Sequence, residues 1–180
     1  YVKTAFLSIE DKKFYEHGGV DYLAIMRAVL ARIKYGHVTQ GGSTITQQLV
    51  KNVFLTQERT MDRKLREMFY SMEMEKKYTK DQILEFYINN VYFSHGYYGI
   101  QAASYGYFKK DVSELSLSEV AFLCAIPNGP TKYDPLTHYD NTIKRRNLIL
   151  KNMLDDSKIM LEEYESAIAE DIQLSEQKTK

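Results

Sequence analysis

Apolar residues return along this chain at helical spacing, beginning with Val2, Ala5, Phe6 and Ile9 at i, i+3, i+4 and i+7. A sequence with that period has to bury one stripe of each helix, which commits the chain to packed helices and to a mainly α fold. Its 180 residues, 44% hydrophobic and 27% charged with 9 Gly and 3 Pro, suit one compact domain, or at most two small lobes. We read 1–180 as a single domain.

Capping residues set the expected helix limits. Glu10 and Asp11 close the first stripe, and the turn signal His17-Gly18-Gly19 follows. Asp21 can then cap a helix carrying Tyr22, Ile25, Met26, Val29 and Ile33, which Gly36 would end. The polar segment His37–Gly42 reads as a loop, after which Ser43 or Thr44 can cap a helix carrying Gln47, Gln48, Leu49 and Lys51. From Thr60 to Lys76, Leu65, Met68, Phe69 and Met72 form an apolar face, with Arg59, Arg63 and Arg66 on a neighbouring stripe. Capping boxes at Thr79/Gln82 and Ser116/Glu119 precede two further helices. The last two are expected near Thr142–Asp155 and Leu161–Glu170, before a polar tail. Between the boxes, Gly96, Gly99 and Gly106 punctuate a Tyr-rich stretch, and no convincing strand alternation is found.

Charge excludes some partners. Formal net charge is zero, so no global field draws the chain to nucleic acid, and any cationic site is a local concentration. The single Cys124, in the apolar run AFLCAI, reads as a small buried thiol. No stretch approaches the length of a membrane span, and no signal segment opens the chain at Tyr1. Fifteen Tyr and eight Phe without Trp suit a helical core first, and a surface touching lipid head groups or sugar rings second.

Three strings can carry chemistry. Glu10 and Asp11 in IEDKKFYEHGG stand at the end of an apolar helix, where burial raises a carboxyl pKa and fits it for proton transfer, although an acidic helix end in water reads the same. GGSTITQQLVKN gathers Ser43, Thr44, Thr46, Gln47, Gln48, Lys51 and Asn52 within one loop and two helical turns. Such groups suit a ligand with sugar hydroxyls and a phosphate, or equally a well-capped surface helix. In ERTMDRKLREMF, Arg59, Arg63, Lys64 and Arg66 surround Glu67, either as a salt-bridged face worth a few tenths of a kcal/mol per pair (~0.3) or as an anion-binding strip.

Other chemistries find no support in spacing. The scattered His17, His37, His95 and His138 match no zinc pattern, and no G-x-S-x-G elbow occurs. Ser175 and Lys178 match S-x-x-K without its partner motifs.

Taken in order, EDKKFYEHGG, GGSTITQQLVKN, RKLRE, KDQILEFYINNVYF and LSEVAFLCAIPNGPTKYDP resemble the successive motifs of glycosyltransferase family 51. These are the peptidoglycan glycosyltransferases of class A penicillin-binding proteins and their monofunctional relatives. The strings run from about residue 9 to 135. The resemblance implies a lysozyme-like helical larger lobe and a smaller membrane-facing lobe with a cleft between them. It also implies lipid II as substrate, a β-1,4-linked glycan as product, and release of undecaprenyl pyrophosphate with inversion at MurNAc C1.

Position by position, the resemblance makes Glu10 the base that takes the proton of the acceptor 4-hydroxyl. Glu67 becomes the second essential glutamate, acting on pyrophosphate departure directly or through its cationic neighbours. Lys51, Arg59, Arg63 and Lys64 fall where the donor pyrophosphate binds, with Ser43, Gln47 and Gln48 lining that subsite. Arg27 is assigned to the acceptor phosphate and Arg145 to the donor side, Asp11 is a further candidate site residue beside Glu10, and Phe14 and His17 belong to the first motif in packing or loop placement. Lys12 and Lys13 depart from the Arg often found there. No metal ligand and no cofactor is called for, and assistance by a divalent cation (Mg or Mn) is left open.

The partners implied are lipid II, the growing lipid-linked glycan, the extracytoplasmic face of a bacterial cell membrane and, in a longer anchored protein, a transpeptidase domain. Moenomycin is the expected inhibitor, and nucleic acid is not expected. Two other readings compete: a peptidoglycan-cleaving muramidase or lytic transglycosylase, and a non-catalytic lipid II-binding module. Cleavage needs no pyrophosphate pocket, so the cations from Lys51 to Arg66 favour synthesis.

Overall fold

The computed structural model describes residues 1–37 and 41–175. The middle of the loop expected over His37–Gly42, and Lys178 of the S-x-x-K pattern, lie outside the described residues. In chain order the helices are α1 (Val2–Glu10), α2 (Tyr22–Tyr35), α3 (Ile45–Phe54), α4 (Met61–Lys77), α5 (Lys80–Asn90), α6 (Ile100–Phe108), α7 (Leu117–Cys124), α8 (Tyr139–Asp155) and α9 (Leu161–Ala169). The fold is mainly α, and the sheet-like pairing among the described residues is an isolated bridge between Tyr92 and Tyr98. Two compact units divide the chain, Glu10–Tyr87 as one and Tyr1–Ile9 with Ile88–Lys180 as the other.

In the unit formed by residues 1–9 and 88–180, α7 is buried from Ser118 to Cys124 and packs on α8 and α9. The buried Arg146 of α8 donates to Ser118 Oγ at 3.1 Å and to the carbonyls of Ile168 and Glu170 at 3.2 and 2.9 Å. A cation placed there satisfies carbonyls that the end of α9 leaves open. Cys124 is fully buried, as its apolar run implies. Helix α6 was not foreseen. Gly99, at φ 83°, starts it, and Ser175 N–H donates to Tyr107 O at 2.8 Å at its far end.

In the unit formed by residues 10–87, caps fall where the sequence puts them. Asp21 accepts from Ala24 N–H at 2.9 Å, and Gly36 closes α2 at φ 74°, a left-handed conformation that a side chain would strain. Thr44, rather than Ser43, caps α3, and Thr60 accepts from Arg63 N–H at 3.1 Å at the start of α4.

Burial on two of these helices inverts the amphipathic expectation. Helix α4 buries Glu67 and Ser71, whereas Leu65 and Phe69 of its apolar stripe are 60% and 55% exposed. Helix α2 buries none of its residues, and Ile33 is 77% exposed. Period predicts which residues share a face, and that holds; which face meets protein depends on the partners that α3 and the 11–19 turn supply. No helix among the described residues is long and apolar enough to cross a membrane.

Candidate functional site

The first motif is held from below by a carboxylate. Directly after α1, the buried Asp11 carboxylate accepts through Oδ2 from Ile45 N–H at 3.0 Å, at the N-terminus of α3, and from His17 Nε2 at 2.7 Å. His17 Nδ1 accepts from Gly19 N–H at 3.1 Å, so the ring proton facing Asp11 is on Nε2. Phe14 is fully buried, edge-on to Tyr15 and His17. Asp11, Phe14 and His17 therefore shape the loop that follows Glu10.

Two more bonds fix that loop. Gly19 sits at φ 104° where an added Cβ would lie 2.7 Å from Ser71 O, so the turn lies flat on α4. Its carbonyl accepts from Thr44 Oγ1 at 2.7 Å, tying the turn to the cap of α3. Behind it, Lys80 donates to His17 O at 2.6 Å and pairs with Glu75 at 2.7 Å, while Thr46 Oγ1 donates to the same Glu75 oxygen at 2.8 Å. Lys80 and Glu75 escaped the sequence reading because each reads locally as an ordinary helix-end charge.

The two neighbouring glutamines part company. Gln47 is fully buried, and its Oε1 accepts from Thr44 N–H at 3.0 Å to complete the capping box with Thr44. Its Nε2 is buried without a hydrogen-bond partner. Gln48, one residue and about 100° further round the helix, donates through Nε2 to Glu10 Oε2 at 3.2 Å and accepts from Tyr87 O–H at 3.2 Å. Glu10 is half-buried.

A cavity of about 380 Å³ opens beside Glu10, and Asp11, Lys12, Lys13, Arg27 and Ser43 also line it. Ser43 links it to the cations, because Lys64 Nζ donates to Ser43 Oγ at 2.8 Å and to Glu67 Oε1 at 2.6 Å. Arg63 pairs with the other oxygen of Glu67. Glu67 is 1% exposed, so both its oxygens hold cations rather than face water.

Lys51 completes the group. It follows Gln48 by three residues on α3 and so shares its face. Burial holds the Lys51 amine below the usual lysine range, Glu67 opposes that fall, and Arg63, Lys64 and Arg59 add to it. Those couplings put Arg59, Arg63, Lys64, Glu67 and Lys51 in one electrostatic neighbourhood. Arg66 stands apart, exposed and paired with Asp62 at 3.0 Å.

Arg145 belongs to the unit formed by residues 1–9 and 88–180. Its guanidinium lies 5.2 Å over the Tyr133 ring, beside a cavity of about 260 Å³ that Lys132 and Lys144 also line. Its assignment to the donor side rests on the resemblance alone.

A family model described as Transglycosylase matches residues 1–154. Penicillin-binding protein 4 of Bacillus subtilis (strain 168) is 46% identical over 177 residues, 98% of this chain and 28% of that protein. Penicillin-binding protein 1A of Escherichia coli (strain K12) is 43% identical over 168 residues, 93% of this chain and 20% of that protein. The crystal structure of penicillin-binding protein 1A from Haemophilus influenzae superposes with a TM-score of 0.52 at 29% identity, covering 74% of this chain and 17% of that one. The chain thus spans about a quarter of the length of these curated relatives.

Proposed function

Since the chain belongs to the transglycosylase family, the peptidoglycan glycosyltransferase domain of class A penicillin-binding proteins, we propose that it polymerises lipid II into β-1,4-linked glycan with release of undecaprenyl pyrophosphate. The observation that carries this reading is one continuous set of groups. Glu10 and Ser43 line the same cavity, Ser43 is bonded to Lys64, and Lys64 is bonded to Glu67. A base and a cation cluster joined in this way suit a reaction in which a sugar alcohol gains nucleophilicity while a diphosphate leaves.

In this mechanism Glu10 takes the proton of the acceptor GlcNAc 4-hydroxyl as that oxygen bonds to C1 of the donor MurNAc. The C1–O bond to the diphosphate breaks on the opposite side with its electron pair, so the α-linked donor gives a β product. Lys51, Arg59, Arg63 and Lys64 bind the diphosphate and offset the charge it gains. Glu67 acts through them: with both oxygens engaged, it holds Arg63 and Lys64 in place and does not itself deliver a proton. Ser43 and Gln48 border the ligand, Gln47 secures the turn beneath it, and Arg27 meets the acceptor phosphate from its position on the cavity wall.

The membrane supplies both substrate and anchorage in this reading. Exposed Leu30 and Ile33 on α2, with Arg27, Arg32 and Lys34 on the same helix, support contact with the extracytoplasmic surface of the cell membrane. The length of the relatives supports a longer protein that carries a transpeptidase domain. Incubation of the chain with lipid II, and separately with purified cell-wall sacculi, tests the proposal by gel resolution of glycan length. Moenomycin-sensitive polymer from lipid II is the expected result. Cleaved sacculi without polymer would replace it with a muramidase, and lipid II binding without turnover would replace it with a non-catalytic module.

A further inference from the structure

Tyr87 is buried at the end of the unit that carries the site, 1% exposed, and its ring alone would account for a place in the core. Its hydroxyl does more. It donates to Gln48 Oε1 at 3.2 Å, and Gln48 Nε2 donates in turn to Glu10 Oε2 at 3.2 Å. The direction of this chain is set by chemistry, because an ionised carboxylate can only accept. Gln48 must therefore turn its NH2 toward Glu10 and its carbonyl toward Tyr87, where a hydroxyl can donate.

We propose that Tyr87 is a positioning residue for the glycosyl transfer, fixing the amide of Gln48 so that it presents N–H to the catalytic base Glu10. The proposal rests on the reading of Glu10 given above. Without the Tyr87 hydroxyl, the Gln48 carbonyl loses its anchor, and the amide can swing about its side-chain torsions away from Glu10. The amide bond also fixes the plane of the carboxyl group, which sets the line along which it meets the sugar hydroxyl. The other charged groups around Glu10 are Asp11, Lys12, Lys13, Asp21 and Arg27 on the cavity wall, with Lys51 one turn along α3. A Tyr87→Phe change leaves all of them in place.

The test is lipid II polymerisation by wild type, Tyr87→Phe, Gln48→Met, the double variant and Glu10→Gln, with kcat and KM measured for each. Tyr87→Phe should lower kcat about fivefold, the worth of one neutral hydrogen bond, with KM little changed. The double variant should be no slower than Gln48→Met alone, as expected of two residues acting in series. An unchanged kcat in Tyr87→Phe, a loss carried by KM instead, or losses that multiply in the double variant, would overturn the relay. If Tyr87→Phe unfolds, the kcat of Gln48→Met decides: a lowered value supports the relay, and a wild-type value ends it. An inactive Glu10→Gln beside a wild-type-like Tyr87→Phe rejects the relay only, whereas a fully active Glu10→Gln rejects the assignment of the base.

Discussion

Lys64 of α4 reaches Ser43 Oγ at 2.8 Å, so the cation strip is tied directly to the wall of the cavity that Glu10 lines. The same amine holds the buried Glu67 at 2.6 Å. One side chain thus joins a loop, a helix and a buried charge, and about a third of it, 33%, is still open to solvent.

Replacing Lys64 with Met removes its charged hydrogen bonds to Ser43 and Glu67 while keeping the aliphatic stem. The kcat/KM for lipid II should fall about 10- to 100-fold, the range for one charge-assisted bond. Initial rates of polymerisation measure it, and an unchanged kcat/KM would show that Lys64 serves only the fold.

The Lys51 amine is held below the ordinary lysine value of 10.5, chiefly by burial. Below that lowered value it is charged in both folded and unfolded chains. As pH rises from there toward 10.5 the folded chain sheds the proton first, so its share of stability rises with pH while the proposed diphosphate site loses a cation. Activity should therefore decline on the alkaline side sooner than an ordinary lysine would dictate. Lys51→Arg, which keeps its charge, should move that decline to higher pH. A pH series of kcat/KM for both proteins checks it, and superimposable alkaline limbs would contradict it.

How much of this was legible in the sequence depends on whether the signal was local. Asp21, Gly36, Thr60 and Ser116 bound helices because caps act within three or four residues, and those limits were readable. Helix α6 was hidden by Gly99 and Gly106, which read as breaks but serve as its start and as a close packing surface against the Tyr97 ring. Leu65 and Phe69 had the right period and the wrong destination. Gln47 and Gln48 were inseparable as a pair of letters, although the T-x-x-Q spacing of Thr44 and Gln47 held the clue that Gln47 completes the capping box. Tyr87 could not have been singled out, since it meets Gln48 across 39 positions of sequence.

Helix α2 offers a surface prediction. Leu30 and Ile33 are 58% and 77% exposed, and seated in a lipid head-group layer each would contribute up to the transfer energy of its side chain. Changing either to Ser should weaken binding to vesicles containing phosphatidylglycerol by about tenfold. Co-sedimentation with such vesicles measures it, and undiminished binding by the double change would remove α2 from the membrane contact.

The account stands or falls on Glu10 as the base. Glu10→Gln keeps the shape of the side chain and its place beside Gln48 but cannot accept the proton. Polymerisation of lipid II by this variant, measured together with its binding of moenomycin, should show a rate lowered by about 10²- to 10⁴-fold and binding retained. Glycan synthesis at the wild-type rate would contradict the assignment.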